Sequence, residues 1–213
     1  MLDAVKKRYD LVGPKVAEAL RCNHFDAYYV SSVKEALKKI MSLIPQEHII
    51  SWGGSLTLET IGIKKCIAEE GRRVIDRSTA KTAAEEQEMM RQALLCDTFL
   101  MSSNAITADG QLFNIDGTAN RVAALCFGPR SVIVVAGMNK VVPTLREAYD
   151  RVRHYAAPCN TQRFTDKKTP CKVTGLCGDC HSEDCICNQM VATRNSKPAG
   201  RIKVILIGED LGF

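Results

Sequence analysis

A chain of 213 residues with 46% hydrophobic and 25% charged side chains has the proportions of a globular domain with room for a sizeable core, which excludes a disordered or collagen-like polymer. Its net charge of +5 is concentrated between residues 140 and 203, where twelve Lys and Arg stand against six Asp and Glu. No apolar run approaches the roughly 20 residues that cross a bilayer, and the opening MLDAVKKRYDLVGPKVAEAL lacks the apolar core and cleavage site of a secretory leader, so a cytoplasmic protein without a membrane span is expected.

Helical and strand periodicity alternate along the chain. Residues 2–22 read as an amphipathic helix with Pro14 marking a break or a second start. DAYYV (26–30) is β-prone, and Ser31 or Ser32 suits the N-cap of a helix from Val33. HIISW (48–52) is a strand ending in Gly53-Gly54-Ser55, before a helix over 56–71. Strands are expected at 72–76, 97–103 and 111–116, with a helix at 81–95 and another at 118–128. SVIVVAG (131–137) is almost wholly β-branched, as in a strand covered on both faces. A helix over 143–157 opens on Pro143, and RIKVILIG (201–208) is a final apolar strand. The pattern predicts an α/β fold with a mostly parallel central sheet and helices on both faces. Residues 1–157 with 200–213 would form that domain, and 158–199 a Cys-rich insert, since more than forty irregular residues require something internal to order them.

Three stretches fall where strands meet helices, and in open α/β sheets ligands bind beyond the carboxyl ends of strands. Gly53, Gly54 and Ser55 would let an anion approach backbone N–H groups, with Glu59 one turn further on; read locally, a tight turn with a serine cap comes first. Asp109-Gly110 signals a hairpin. Asp116, Gly117 and Thr118 then lead into a helix with Asn120 and Arg121 in its first turn. An arginine there opposes the helix dipole, so it needs either a bound anion or an acidic neighbour, for which Asp116 serves, with Thr118 as the cap. Lys140, just past the buried strand, is an anion contact or a solvated loop lysine.

Ten cysteines in a reducing compartment point to metal or redox chemistry. Cys22, Cys66, Cys96 and Cys126 stand singly in apolar contexts and read as small buried hydrophobes. The remaining six run from Cys159 through Cys171, Cys177, Cys180, Cys185 and Cys187. A CxxC pair at 177 and 180, with Gly178 assisting its turn, and a second pair at 185 and 187 suit tetrahedral zinc and an iron–sulfur cluster equally. His181 is a further candidate donor, although a solvent-exposed histidine is the reading ranked ahead of it. Thiolates would cancel much of the local basic surplus, so nucleic acid is disfavoured as a partner.

SWGGSLTLETIG, SSNAITADGQLFNIDGTANRVAALCFGPRSVIVVAGMNKVV, TPCKVTGLCGDCHSEDCICN and the final IGEDLGF together resemble the LUD-domain (lactate utilisation) family, in its stand-alone form with a C-terminal Cys motif. The resemblance implies a fold similar to the ribose-5-phosphate isomerase and CoA-transferase group. It implies a part in L-lactate oxidation beside iron–sulfur partner subunits. It also places a ligand pocket at Gly53–Ser55 and at 114–121, which adds Asn114 to the candidates. By the family's pattern Cys171, Cys177, Cys180 and Cys187 are the ligand set, with Cys159 and Cys185 as extra donors. An iron–sulfur cluster is then favoured over zinc. The expected partner is a small anionic metabolite, and a homo-oligomer is compatible. A metabolite-sensing module with structural zinc, or a sugar-phosphate or CoA-ester enzyme by fold analogy, is the alternative. The glutamate nucleophile of CoA transferases has no counterpart here, and Glu209-Asp210 reads as a pair of pocket acids or a C-terminal cap.

Overall fold

The computed structural model describes residues 1–213. In chain order the first half comprises α1 (Asp3–Cys22), β1 (Asp26–Val30), α2 (Val33–Ser42), β2 (Ile50–Trp52), α3 (Leu56–Ile61), α4 (Ile63–Glu69), β3 (Val74–Ile75), α5 (Ala83–Gln92), β4 (Thr98–Met101) and β5 (Ala105–Thr107). The second half comprises β6 (Leu112–Asp116), α6 (Asn120–Cys126), β7 (Ser131–Gly137), β8 (Val141–Val142), α7 (Leu145–Arg151), α8 (Ala157–Thr161), α9 (Pro170–Thr174), β9 (Gln189–Thr193) and β10 (Ile202–Ile207).

Six strands form a wholly parallel sheet in the order β1-β10-β7-β4-β2-β3, the α/β arrangement expected. The alternation of side chains along β7 explains why its sequence is apolar throughout. Val132, Val134 and Ala136 enter one core with Tyr9, Val16 and Leu20 of α1 and Leu125 of α6. Ile133 and Val135 enter the other with Ile40 of α2, Leu58 and Ile61 of α3, and Ile63 and Ile67 of α4. β10 divides the same way, Val204 and Leu206 on one face and Ile205 and Ile207 on the other. Truncating one of these isoleucines to Ala removes about 2–5 kcal/mol.

A second sheet, β8-β5-β6-β9, was not in the sequence pattern. The apolar run at 97–103 leaves the first sheet after Met101, turns at Ser102-Ser103 and re-forms as β5. β5 and β6 make the hairpin expected at Asp109-Gly110, and Gly110 holds φ 86 there. Its missing Cβ matters a second time, because a methyl would lie 2.6 Å from the α1 backbone at Ala19. β9 pairs antiparallel with β6 from Asp116↔Gln189 to Leu112↔Thr193 and so anchors the C-terminal half of the cysteine segment.

Other boundaries differ for local reasons. α1 runs unbroken past Pro14. The helix expected over 56–71 divides at Gly62, whose φ of 74 closes α3 and opens α4. α5 begins after Thr82, whose Oγ1 accepts from the Glu85 N–H while Glu85 accepts from the Lys81 N–H, a reciprocal cap. α7 and α8 are continuous through a widened turn at Val152–Ala156. Of the four isolated cysteines only Cys96 is buried; Cys22 and Cys126, at the last positions of α1 and α6, are exposed, which corrects the reading of them as core residues. No helix is long and apolar enough to cross a membrane.

Candidate functional site

Beyond the carboxyl ends of β2, β4 and β7 lies a cavity of about 710 Å³, within the size range of small-molecule sites. Gly54, Ser55, Asp116, Gly117, Thr118, Asn120, Arg121 and Lys140 all line it, so three stretches distant in sequence meet in one place. Gly53, Glu59 and Asn114 do not. Gly53 packs beneath Arg121, whose Cγ is 3.2 Å from where its Cβ would stand. Glu59 stands outside the lining and pairs at 3.6 Å with Arg163, which is part of it. Asn114 is fully buried behind the wall. Ser55 is the N-cap of α3, its Oγ accepting from the Leu58 N–H at 3.2 Å.

Arg121 is held by the protein itself. Its Nε donates to Asp116 Oδ1 at 2.8 Å, Nη1 to the Ser102 carbonyl and Asn114 Oδ1, and Nη2 to Asn104 Oδ1 and the Ile115 carbonyl. All five guanidinium N–H groups are therefore engaged. The acidic neighbour that the helix position demanded is Asp116, which also accepts from the Val122 N–H at 2.9 Å and so caps α6. That cap falls to Asp116 and not to Thr118, because Ala119 takes a left-handed φ of 68 and swings the chain so that the carboxylate reaches the helix start.

Lys140 differs from every other basic residue at the cavity. Arg77 pairs with Glu86 at 3.9 Å, Arg163 with Glu59, Lys167 with Asp184 at 3.5 Å and Arg121 with Asp116. Lys140 has no carboxylate partner and is 4% exposed. Its Nζ donates to Thr57 Oγ1 and Ser102 Oγ, each at 3.0 Å. Burial, reinforced by Arg151 and Arg121, pulls the amine down to about 7. Thr57 and Ser102 were not singled out from sequence, although Ser102-Ser103 at the end of an apolar strand is the available signal. The C-terminal segment covers this corner: Thr57 Oγ1 donates to the Leu211 carbonyl, Asn139 Nδ2 to the Gly212 carbonyl, and Phe213 lines the cavity. Glu209 and Asp210 do not reach it; Glu209 accepts from the Val33 N–H at the start of α2, and Asp210 from the Tyr9 hydroxyl.

Five thiols, Cys171, Cys177, Cys180, Cys185 and Cys187, line a second cavity of about 20 Å³. Cys159 stands apart on α8. Gly178 does not make the turn between Cys177 and Cys180; the left-handed residue is Asp179, with φ 46, while Gly178 lets the loop lie on Pro170, whose Cβ is 2.8 Å from the Cβ position. Arg153 pins the turn through Asp179. Cys171 shares hydrogen bonds with the Thr169 and Thr161 hydroxyls at 3.2 and 3.4 Å. Burial pushes the Cys187 thiol up to about 12. No three His, Cys, Asp or Glu side chains converge in a metal-holding arrangement. The donor chemistry nevertheless fits a thiophilic metal: five half-buried sulfurs share one cavity, with Arg153 beside them to offset thiolate charge. Cys185 and Ile186 line both cavities and form the partition between them.

A model of the LUD domain matches residues 14–207. The chain is similar to a solved DUF162 family protein from Deinococcus radiodurans, at 15% identity and a TM-score of 0.53 over 93% of this chain and 97% of that one, a likeness of fold. Ribose 5-phosphate isomerase A from Methanocaldococcus jannaschii matches 54% of each chain at 19% identity and a TM-score of 0.34. eIF2B delta from Chaetomium thermophilum matches at 18% identity and 0.34, over 57% of this chain and 50% of that one. No curated protein matches the sequence.

Proposed function

We propose that this chain, which belongs to the LUD-domain family, binds a small anionic metabolite of the organic-acid class in the 710 Å³ cavity and serves lactate-type organic-acid oxidation beside iron–sulfur partner subunits. The observation that carries the reading is Lys140, a buried amine at the cavity wall with two hydroxyl partners and no acid. Leaving such a group without a counter-charge costs stability, and a carboxylate supplied by a ligand would offset that cost. Binding an anion favours the ammonium form, so the site takes up a proton as it fills. Arg121 holds the wall, joining the end of β4 to β6 and the start of α6, while its charge adds to the attraction. Asn120, Thr118 and Ser55 are the uncharged polar groups that orient the ligand.

Cys171, Cys177, Cys180 and Cys187 would hold an iron–sulfur cluster, with Cys185 as the spare thiol and zinc as the competing metal. When bound, a cluster supplies one-electron transfer to a partner subunit, whereas zinc supplies only structure.

Titration calorimetry with lactate, oxalate and phosphate, repeated in two buffers of different ionisation heat, tests the cavity. Binding of at least one anion with proton uptake near neutral pH, weakened tenfold or more in Lys140→Met, is expected. Heat from none of them would sink the reading. For the thiols, anaerobic reconstitution followed by iron, sulfide and zinc analysis decides the metal. A colourless protein holding zinc alone would remove the electron-transfer part.

A further inference from the structure

We propose that Lys140 is a nucleophile, its Nζ condensing with the carbonyl group of a small anionic carbonyl compound bound in the cavity to leave an imine on the chain. The inference rests on the anion site above and assigns its reactive class. Lys140 is buried with two hydroxyl partners and no acid, so its Nζ is not committed to an ion pair within the chain and can meet a ligand's carbonyl group. Burial beside other cations lowers the amine to about 7, so a substantial share of it is neutral at neutral pH. From α3 it meets the Thr57 hydroxyl, and from the end of β4 the Ser102 hydroxyl. From α6 and α7 it meets the fields of Arg121 and Arg151, and Asp116 on β6 is already spent on Arg121. The C-terminal segment brings the Gly212 backbone, where a Cβ would stand 3.4 Å from Nζ, and Phe213 lines the same cavity. Burial beside other cations is how proteins free the lone pair of a lysine for attack on a carbonyl.

The step balances without an oxidant or a second reactant. The Nζ lone pair attacks the carbonyl carbon, and a proton passes from nitrogen to the former carbonyl oxygen to give a carbinolamine. The C–O bond then breaks, the hydroxyl leaving as water after protonation, and C=N forms. Thr57 and Ser102, each 3.0 Å from Nζ, can relay both protons. The same cationic surroundings that lower the amine attract the anionic end of the ligand. Either a carboxylate or a phosphate would satisfy them.

The test is reductive trapping. The parent chain is incubated with sodium cyanoborohydride and either pyruvate (the carboxylate probe) or glycolaldehyde phosphate (the phosphate probe), and adducts are located by peptide mass mapping. One adduct at Lys140 is expected, its formation rising as pH passes through about 7. Surface lysines accelerate only toward their ordinary value of roughly 10.4. Lys140→Arg, verified as folded by circular dichroism, should lose the adduct, and Ser102→Ala and Thr57→Val should slow it at least tenfold without moving it. The probe that labels at the lower concentration identifies the anionic group. Labelling spread over many lysines and equal in parent and Lys140→Arg would overturn the proposal. So would sulfonylation of Ser102 by a sulfonyl fluoride with no trapped imine, which would make Lys140 the base for a serine. If lactate or oxalate still gives binding heat while neither probe is trapped, the imine falls and the anion site stands; if both fail, both readings fall.

Discussion

Replacing Arg121 with Ala should destabilise the chain by about 4 kcal/mol. The guanidinium meets five acceptors, but their losses are unequal. Asn104 Oδ1 keeps the Ile115 N–H at 3.0 Å, and Asn114 Oδ1 keeps the Asn104 N–H at 3.2 Å, so neither amide oxygen is stranded. Asp116 is worse placed: its side chain is 11% exposed and would retain only the Val122 N–H. Removing one member of a mostly buried ion pair costs roughly 3–5 kcal/mol. That is a large share of the roughly 5–15 kcal/mol by which domains are stable, and it corresponds to a fall of about 8–16 °C in midpoint for a chain of this size. Urea unfolding followed by tryptophan fluorescence reads it directly, because Trp52 is the only tryptophan, is 7% exposed, and precedes the Gly53 on which Arg121 rests. Arg121→Lys, which keeps the charge but has three donors, should recover part of the loss. A loss below about 1 kcal/mol in Arg121→Ala would refute the reasoning, since the five contacts would not be holding the wall.

Lys140 titrates near pH 7 in the folded chain and at 10.5 when unfolded. Between those values the unfolded chain binds the additional proton, so stability should rise with pH. Urea midpoints should show the parent gaining on Lys140→Met by up to about 1.4 kcal/mol per pH unit between about pH 7 and pH 8.5, and a flat difference would contradict a neutral buried amine. Gly212→Ala places a Cβ 2.9 Å from Thr57 Oγ1 at a φ of 61. Calorimetry should show weakened anion binding and unfolding a loss of about 1–3 kcal/mol; no change in either would argue against the C-terminal segment closing the site. Native-state alkylation read by mass spectrometry should modify the exposed Cys22 and Cys126 at least ~100-fold faster than Cys96, which is 2% exposed with its thiol pushed up to about 12. Equal rates would show that the core around Cys96 opens freely.

The elements that sequence reveals are those whose pattern is set by burial on two faces or by a cap. SVIVVAG is legible as a central strand because every residue meets a covered face, and RIKVILIG departs from that pattern only at its basic N-terminal end. β9 stayed hidden because an edge strand has one covered side, and Gln189–Thr193 carries the matching weak alternation. The break after Met101 was illegible for a different reason: Thr98–Met101 and Ala105–Thr107 are both fully buried, so hydropathy does not change where the chain changes sheets. In the site, the glycine turn, the Asp116–Arg121 block and Lys140 were legible because strand ends converge in this topology. What Arg121 does was not, since its five acceptors come from residues 102 to 116 and only a folded hairpin gathers them. Arg77 and Arg163 line the cavity from a short 3-10 turn and from the chain just beyond α8, where no local pattern marks a ligand wall.

The partition of Cys185 and Ile186 makes the two cavities neighbours that share one wall. Asn188, just beyond it, is tied to the Asp116 and Gly117 carbonyls at 2.9 and 3.1 Å, so a displacement of the sulfur loop is felt at the carboxylate that anchors Arg121. Free energy exchanged across such a wall is reciprocal. Were a metal held by the thiols to displace that wall, the larger cavity would accept its ligand with a changed affinity, and a ligand seated there would change the affinity of the sulfurs for metal by the same factor.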